Sequence, residues 1–159
     1  MDVTLAEVVA ASRAVAATRS RTAKTQALAE LFVRCDPDEV GVVVAHLSGV
    51  LPQRRLGVGF RSLGSLPEPA AEPGLTVAEV DAAFSRLAAT AGAGATASRR
   101  SELATLMGRA TADEQRFLVD LITGNLRQGA LDGVVLAAIA AAYAVPDAVV
   151  RRATMLAGT

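Results

Sequence analysis

Residues 121–142 read LITGNLRQGALDGVVLAAIAAA, and they join a loop with two glycines to an apolar, alanine-rich segment. Arg127 is the only charge in this loop and lies between Gly124 and Gly129. Backbone N–H groups beside glycine, together with a guanidinium, can bind a phosphate without reading a base. The alternative is that Gly124 caps the preceding helix and Arg127 is a solvated turn residue. In both cases the stretch predicts a loop held between two helices.

The composition indicates one helical domain of ordinary size. The chain has 159 residues, of which 52% are hydrophobic, and this is enough for a buried core. Aromatic residues make up only 3% and tryptophan is absent, which favours close-packed helices over a β-sandwich. The single cysteine, Cys35, excludes an internal disulfide and a cysteine-rich zinc site. With no long uncharged apolar run and no signal-peptide pattern, we expect a cytoplasmic protein without a membrane partner.

The charges alternate along the chain although the formal net charge is +0. Three acid-free stretches carry the following basic residues: Arg13, Arg19, Arg21 and Lys24; Arg54, Arg55 and Arg61; Arg86, Arg99 and Arg100. All but one of the basic residues are arginine, whose guanidinium favours bidentate contact with phosphate or carboxylate. The distribution therefore indicates a polyanionic partner, which the net charge alone does not.

Capping residues divide the sequence into helices. We expect helix starts at Ser20, Thr76 and Thr111, and a further start with proline at its first position in Asp36-Pro37-Asp38-Glu39. Residues 64–74 contain three prolines and predict a connection between two halves. Residues 88–97, AATAGAGATA, predict a loop, so that the next helix would begin at Ser98.

The chain matches itself at an offset of 75 residues. The gapless match places Leu28 on Leu103, Leu31 on Leu106, Arg34 on Arg109, Asp38-Glu39 on Asp113-Glu114, Gly49 on Gly124, Leu51 on Leu126, Gln53 on Gln128 and Lys24 on Arg99. This repeat predicts two pseudo-symmetric helix-turn-helix-loop halves, about 1–63 and 76–145, joined by residues 64–75. Two phosphate-binding loops some distance apart would suit a duplex, whose strands are related by local twofold axes.

Several of these motifs resemble one family. Residues 124–129, GNLRQG, and the VVLAAI that begins at Val134 resemble the G-x-L-R-x-G loop and alanine-rich helix in the N-terminal DNA-binding domain of ATP-dependent DNA ligases. Segments 20–24 (SRTAK), 51–52 (LP), 56–59 (LGVG) and 151–153 (RRA) are also similar, most closely to actinobacterial members. The resemblance covers essentially the whole chain. It implies an all-helical domain, 1–159, that lies against the minor groove of nicked duplex DNA and contacts phosphates on both sides of the nick, with residues 146–159 beginning the linker to a catalytic domain.

Carried over position by position, the resemblance implies contacts from helix starts and loops. The residues expected to contact DNA are Ser20, Arg21, Lys24, Arg54, Arg55, Gly57, Gly59, Ser98, Arg99, Arg100, Gly124, Asn125, Arg127, Gln128 and Gly129.

The residues that would catalyse ligation are not found in this sequence. The ligase reaction needs an adenylated lysine in a K-x-D-G motif and carboxylates for magnesium, whereas the only lysine, Lys24, precedes Thr25-Gln26-Ala27. We therefore expect an excised or truncated domain with no catalytic residue, metal site or cofactor, while ATP and Mg²⁺ would serve the parent ligase.

The expected partners are nicked double-stranded DNA and the adenylation domain of the same parent protein, which would act in DNA repair, replication or recombination. We expect a monomer with a nucleoid-associated function. The alternative is a helical protein–protein interaction domain whose basic loops dock acidic partners.

Overall fold

The computed structural model describes residues 2–126 and 132–146, together with residues 149 and 152. This part of the chain contains eight α-helices and no β-strand, which confirms the predicted all-α class. The helices are α1 (Leu5–Ala16), α2 (Arg21–Val33), α3 (Pro37–Leu47), α4 (Phe60–Leu63), α5 (Val77–Ala89), α6 (Ala95–Gly108), α7 (Ala112–Thr123) and α8 (Asp132–Ala142). Apart from positions 149 and 152, residues 147–159 lie outside the described residues, so the linker expected at 146–159 stays a prediction.

Side-chain caps fix where most of these helices begin. Thr4, Thr76 and Thr111 each form a capping box, in which the hydroxyl accepts a backbone N–H and a glutamate three residues later accepts the threonine N–H. The Ser20 hydroxyl accepts the N–H three residues on at 3.1 Å, and Pro37 occupies the first position of α3. The predicted starts at Ser20, Thr76, Thr111 and Pro37 are therefore confirmed.

The loop between α5 and α6 is shorter than the sequence predicted. α5 continues to Ala89 and α6 already begins at Ala95, so the predicted start at Ser98 is wrong. The Ser98 N–H donates to the Gly94 carbonyl at 3.0 Å, as in a continuing helix. Alanine is the best helix former, so the alanine-rich residues at the two ends of the predicted loop become part of α5 and α6. Only the turn around Gly92 and Gly94, whose φ angles are +84° and +78°, remains outside them.

The proline-rich connection forms no helix and packs on the second half. The Ala70 N–H donates to the Ala110 carbonyl at 2.9 Å. The side-chain amide of Gln115 donates to the Pro67 carbonyl at 3.1 Å. These bonds hold the connection against α6 and α7.

The two halves meet through a pair of reciprocal contacts. Thr4 and Thr76 form an isolated antiparallel bridge, in which the N–H after each threonine donates at 2.9 Å to the carbonyl before the other. The capping glutamate that follows each threonine forms an ion pair with the arginine at the end of the neighbouring helix, Arg34 with Glu7 and Arg109 with Glu79. α1 packs on α2 and α7, while α5 packs on α6 and α3. This exchange is the one that a local twofold axis would produce, while the pseudo-symmetric layout of the two halves stays a prediction.

The core contains the only histidine of the chain. His46 on α3 is fully buried, and its ring lies edge-on to Phe84 of α5, with the ring centroids 5.9 Å apart. Neither ring nitrogen has a hydrogen-bond partner among the described residues. Burial lowers the pKa of His46 to about 4, although Asp81 opposes this shift in part. His46 is thus a neutral packing residue at neutral pH.

Cys35 is likewise a packing residue just beyond α2. It is buried, and burial together with the nearby Glu39 raises the pKa of its thiol to about 11. A thiol with that pKa is not ionised at neutral pH and is a poor nucleophile.

Among the described helices, none is both long and apolar enough to cross a lipid bilayer.

Candidate nucleic-acid interface

The first basic loop, residues 51–59, is anchored on both sides of its two arginines. The side-chain amide of Gln53 donates to the Asp81 carboxylate at 2.7 Å and to the Ser85 hydroxyl at 3.1 Å, both on α5. Leu56 is buried in the core. Arg54 and Arg55 lie between these anchors, and both side chains are exposed. The loop therefore presents two guanidinium groups from a backbone that is fixed by α5 and by the core.

The turn itself is tight and adopts backbone conformations that favour glycine. Arg54 has a φ of +68°, which is uncommon for a residue with a side chain and costs of order 1–3 kcal/mol. Its N–H donates to the Leu51 carbonyl at 2.9 Å, and the Arg55 N–H donates to the Gln53 carbonyl at 2.8 Å. Strain of this kind is retained only where the surrounding structure imposes it, and it is often found at binding sites.

A residue just before the start of the first loop lies against the second loop, which comprises residues 124–129. Gly49 has a φ of +77°, and a Cβ added to it would lie 2.7 Å from the Leu126 carbonyl oxygen. A cleft of about 280 Å³ separates the first loop from Ile122 of α7. Gly49, just before the first loop, thus lies against Leu126 of the second loop, while the expected distance between the two phosphate-binding loops stays a prediction. Arg127, Gln128 and Gly129 lie outside the described residues.

The start of α6 lies against the first loop. A Cβ added to Gly57 would be 2.7 Å from Arg99 Nε and 2.8 Å from Cζ of the same guanidinium. Arg99 is half-buried, and its Nη2 donates to the Thr90 carbonyl at the end of α5. Ser98 and Arg100 beside it are exposed.

The start of α2 lies in a similar way against the beginning of α8. A Cβ added to Gly133 would be 2.8 Å from Arg21 Nη2. The Arg21 side chain is exposed, and Lys24, one turn along the helix, is half-buried. The structure thus pairs the start of α6 with the first loop itself and the start of α2 with the segment that follows the second loop.

The arginines fall into two groups according to their ion pairs. Four of them, none expected to contact DNA, are paired with acids: Arg13 with Asp113, Arg34 with Glu7, Arg86 with Glu102 and Arg109 with Glu79. The basic residues expected to contact DNA form no ion pair with an acid of the described chain, and they are Arg21, Lys24, Arg54, Arg55, Arg99 and Arg100. The described cations that were expected to contact DNA therefore form no ion pair within the described structure, and the same holds for Arg61 and Arg116, which were not expected to contact it.

Only the first three residues of the second loop, 124–126, belong to the described structure. Gly124 is the C-cap of α7, with a φ of +75°, as the alternative interpretation expected. Asn125 is exposed, and its side-chain amide donates to the Thr123 hydroxyl at 3.0 Å. In the first loop Gly57 and Gly59 are also exposed, whereas the Ser20 hydroxyl is already used as a helix cap. Whether any of these residues contacts DNA stays a prediction.

Two exposed residues directly after the first loop were not predicted from the sequence to contact DNA. Phe60 begins α4 directly after Gly59, and 76% of it is exposed, which is unusual for a large apolar side chain. Arg61 beside it is exposed and has no acid partner in the described structure. An aromatic residue inside an acid-free basic segment was the available signal. The role of Gln53 as an anchor had none, because its partners lie on another helix.

Among the described residues there is no cluster of three or more histidine, cysteine, aspartate or glutamate side chains that could hold a metal ion. Lys24 lies on α2 without a neighbouring carboxylate motif in the sequence. No step of an adenylation reaction is assigned to these residues.

Comparison with known proteins identifies related sequences. Residues 58–140 match the family model described as "DNA ligase N terminus". The chain is 56% identical over 155 residues to a protein named "Probable DNA ligase" from Streptomyces griseus, covering 98% of this chain and 30% of the relative. Proteins of the same name from a Nocardioides species and from Beutenbergia cavernae are 52% and 53% identical, covering 99% and 97% of this chain. The chain thus spans about 30% of the length of the curated relatives that it matches.

Proposed function

Because the chain belongs to the family of DNA ligase N-terminal domains, we propose that it is the non-catalytic DNA-binding part of an ATP-dependent DNA ligase. It binds nicked duplex DNA through phosphates along the minor groove and does not read the base sequence. The parent enzyme seals the nick in DNA repair, replication or recombination, in the cytoplasm and at the nucleoid. Its adenylation domain, in the same polypeptide, supplies the reactive lysine and binds ATP and Mg²⁺.

The division of the arginines carries this proposal. Four arginines are neutralised by acids on neighbouring elements, while Arg54 and Arg55 project unpaired from an anchored loop. Exposed cations without an internal partner are the groups that release counterions when they meet a phosphate backbone. Short loops and helix starts are suited to contacts with the phosphate backbone of DNA, whereas reading the bases needs a helix or ribbon inserted in the major groove.

The packing also favours one continuous interface. Gly49 and Leu126 bring the two loops together, and Arg99 and Gly57 join α6 to the first loop. A rigid surface loses little conformational freedom on binding, so even weak phosphate contacts add to affinity. The affinity we expect is roughly micromolar or poorer at physiological salt, as for sequence-independent binding.

Fluorescence anisotropy with nicked, intact and sequence-scrambled duplexes at several salt concentrations tests the proposal. The variant Arg54→Ala with Arg55→Ala should weaken binding to all sequences alike and should reduce the slope of log affinity against log salt by about two. The matched control is Arg86→Ala, because Arg86 is paired with Glu102 and should contribute nothing to the slope.

The outcome separates the two functions considered. Binding that depends on salt but not on sequence supports the DNA-binding proposal. Absence of DNA binding by the wild-type chain would refute it and would favour the interaction domain that docks acidic proteins. An identical slope for the double variant and the wild type would show that the first loop does not contact phosphate.

A further inference from the structure

The side chain of Arg99 is built into the protein, unlike that of its neighbour. Arg100 is exposed, whereas Arg99 is half-buried and its Nε atom is shielded from solvent without a hydrogen-bond partner in the described structure. Nε and Cζ lie where a side chain on Gly57 would begin, at 2.7 and 2.8 Å from the position of a Cβ. The guanidinium therefore rests directly on the backbone of the first loop.

Arg99 also connects this loop to two helices. Its Nη2 donates to the Thr90 carbonyl, the C-cap of α5, where the helix dipole favours a cation. Its backbone belongs to α6. A single side chain thus links α5, α6 and Gly57.

We propose that Arg99 is a positioning residue, which holds residues 54–59 in the conformation that binds DNA and does not itself neutralise a phosphate. The inference rests on the proposed DNA-binding function. It changes the role of a residue that the resemblance had placed among the direct contacts. The loop's own arginines, Arg54 and Arg55, make the phosphate contacts that Arg99 supports.

The chemistry of the contact explains why arginine is required. The planar guanidinium can lie flat on a backbone and still donate a hydrogen bond from its edge, whereas the compact ammonium of lysine cannot do both. Gly57 completes the fit, because its φ of +71° favours glycine and a Cβ there would overlap the guanidinium. Both partners are therefore specified by their mutual contact.

The test compares Arg99→Ala and Arg99→Lys with two single-charge controls in the full 159-residue chain. Arg100→Ala removes a neighbouring exposed arginine that we expect to contact phosphate. Arg116→Ala removes an exposed arginine of α7 that was not expected to contact DNA. The measurements are affinity for a nicked duplex across a salt series, and hydrogen–deuterium exchange of residues 54–60 without DNA.

A positioning role predicts weaker DNA binding with an unchanged slope of log affinity against log salt. Both Arg99 variants should bind about fivefold more weakly or worse, which corresponds to a loss of about 1 kcal/mol in binding free energy. Their salt slopes should remain at the wild-type value, and amide exchange in the loop should rise. Arg100→Ala should lower the slope by about one, and Arg116→Ala should change neither quantity.

Three results would overturn the inference. They are a slope reduced by about one in Arg99→Ala, wild-type affinity in Arg99→Lys, or unchanged loop exchange in both variants. Should Arg99→Ala lose its helical circular dichroism, Arg99→Lys and Gly57→Ala decide the matter, since each disturbs the same contact. If the wild-type chain fails to bind DNA, the proposed function falls, while the exchange data still report whether Arg99 holds the loop.

Discussion

The buried histidine should make the stability of this domain depend on pH in a predictable window. His46 has a pKa of about 4 in the folded protein, against an ordinary value of 6.5, chiefly because burial disfavours the imidazolium. Between these two values the unfolded chain binds a proton that the native state does not. Lowering the pH therefore favours unfolding through this window, and the effect levels off below the folded-state pKa.

The magnitude follows from the two pKa values. Between pH 7.5 and pH 5.0, one such group lowers the free energy of unfolding by roughly 2 kcal/mol. For a domain of this size, that corresponds to a fall of roughly 4–8 °C in Tm. The chain has a single histidine, so no other side chain has an ordinary pKa between 5 and 8.

Urea denaturation followed by circular dichroism at pH 7.5, 6.5, 5.5 and 5.0 measures the effect, and His46→Leu is the control. Because neither ring nitrogen has a partner in the described structure, an apolar side chain of similar volume leaves no buried polar group unpaired. We expect His46→Leu to be at least as stable as the wild type at pH 7.5 and to lose most of the pH dependence. A wild-type stability that stays flat from pH 7.5 to 5.0, or the same decline in His46→Leu, would refute the reasoning.

Three further predictions concern the loops. Gly49→Ala should destabilise the protein by about 1–3 kcal/mol, because it places a Cβ 2.7 Å from the Leu126 carbonyl oxygen at a residue with positive φ. Gly41→Ala, in α3 with no atom within 4 Å of the new Cβ, should instead stabilise the protein by about 0.5–1 kcal/mol. Urea titrations compare the free energies of unfolding of the two variants. Phe60→Ala should change stability by less than about 0.5 kcal/mol but weaken DNA binding without altering the salt slope, since an apolar side chain contacts DNA without releasing counterions; equal affinity to the wild type would count against a DNA contact at this position. Arg127→Ala should weaken binding to every duplex sequence alike and lower the salt slope by about one, and a large fall in Tm with an unchanged slope would identify Arg127 as a structural residue instead.

The features that the sequence predicted are those set by neighbouring residues. Thr76 and Thr111 could be recognised as caps because the glutamate that completes each capping box lies three residues away. The start at Ser98 was wrong because the glycines nearby were given more weight than the alanines, whose helix propensity extends α5 and α6 to within a few residues of each other.

The features that the sequence did not reveal depend on distant partners. Arg13 and Asp113 are 100 residues apart in sequence, yet their side chains form two hydrogen bonds of 2.6 and 3.0 Å. Arg99 and Arg100 are adjacent and chemically identical, and the contacts of Arg99 with Gly57 and with the Thr90 carbonyl distinguish their environments. Spacing and residue type show which arginines are available, whereas the tertiary structure decides which of them are already engaged.

The placement of the acids explains how a protein of zero formal net charge can offer a cationic surface. Glu7, Glu79 and Glu114 serve in capping boxes at the starts of α1, α5 and α7. Glu39 accepts the Val3 N–H at 3.2 Å inside the core. Carboxylates in these positions satisfy backbone donors and neighbouring arginines, and none of them belongs to the acid-free sequence stretch that contains the first loop. Since salt screens exposed charges beyond about 10 Å, a phosphate near Arg54 responds mainly to the local cations and little to the net charge. The zero net charge is therefore compatible with DNA binding, and it predicts that attraction is confined to the face that carries the loops.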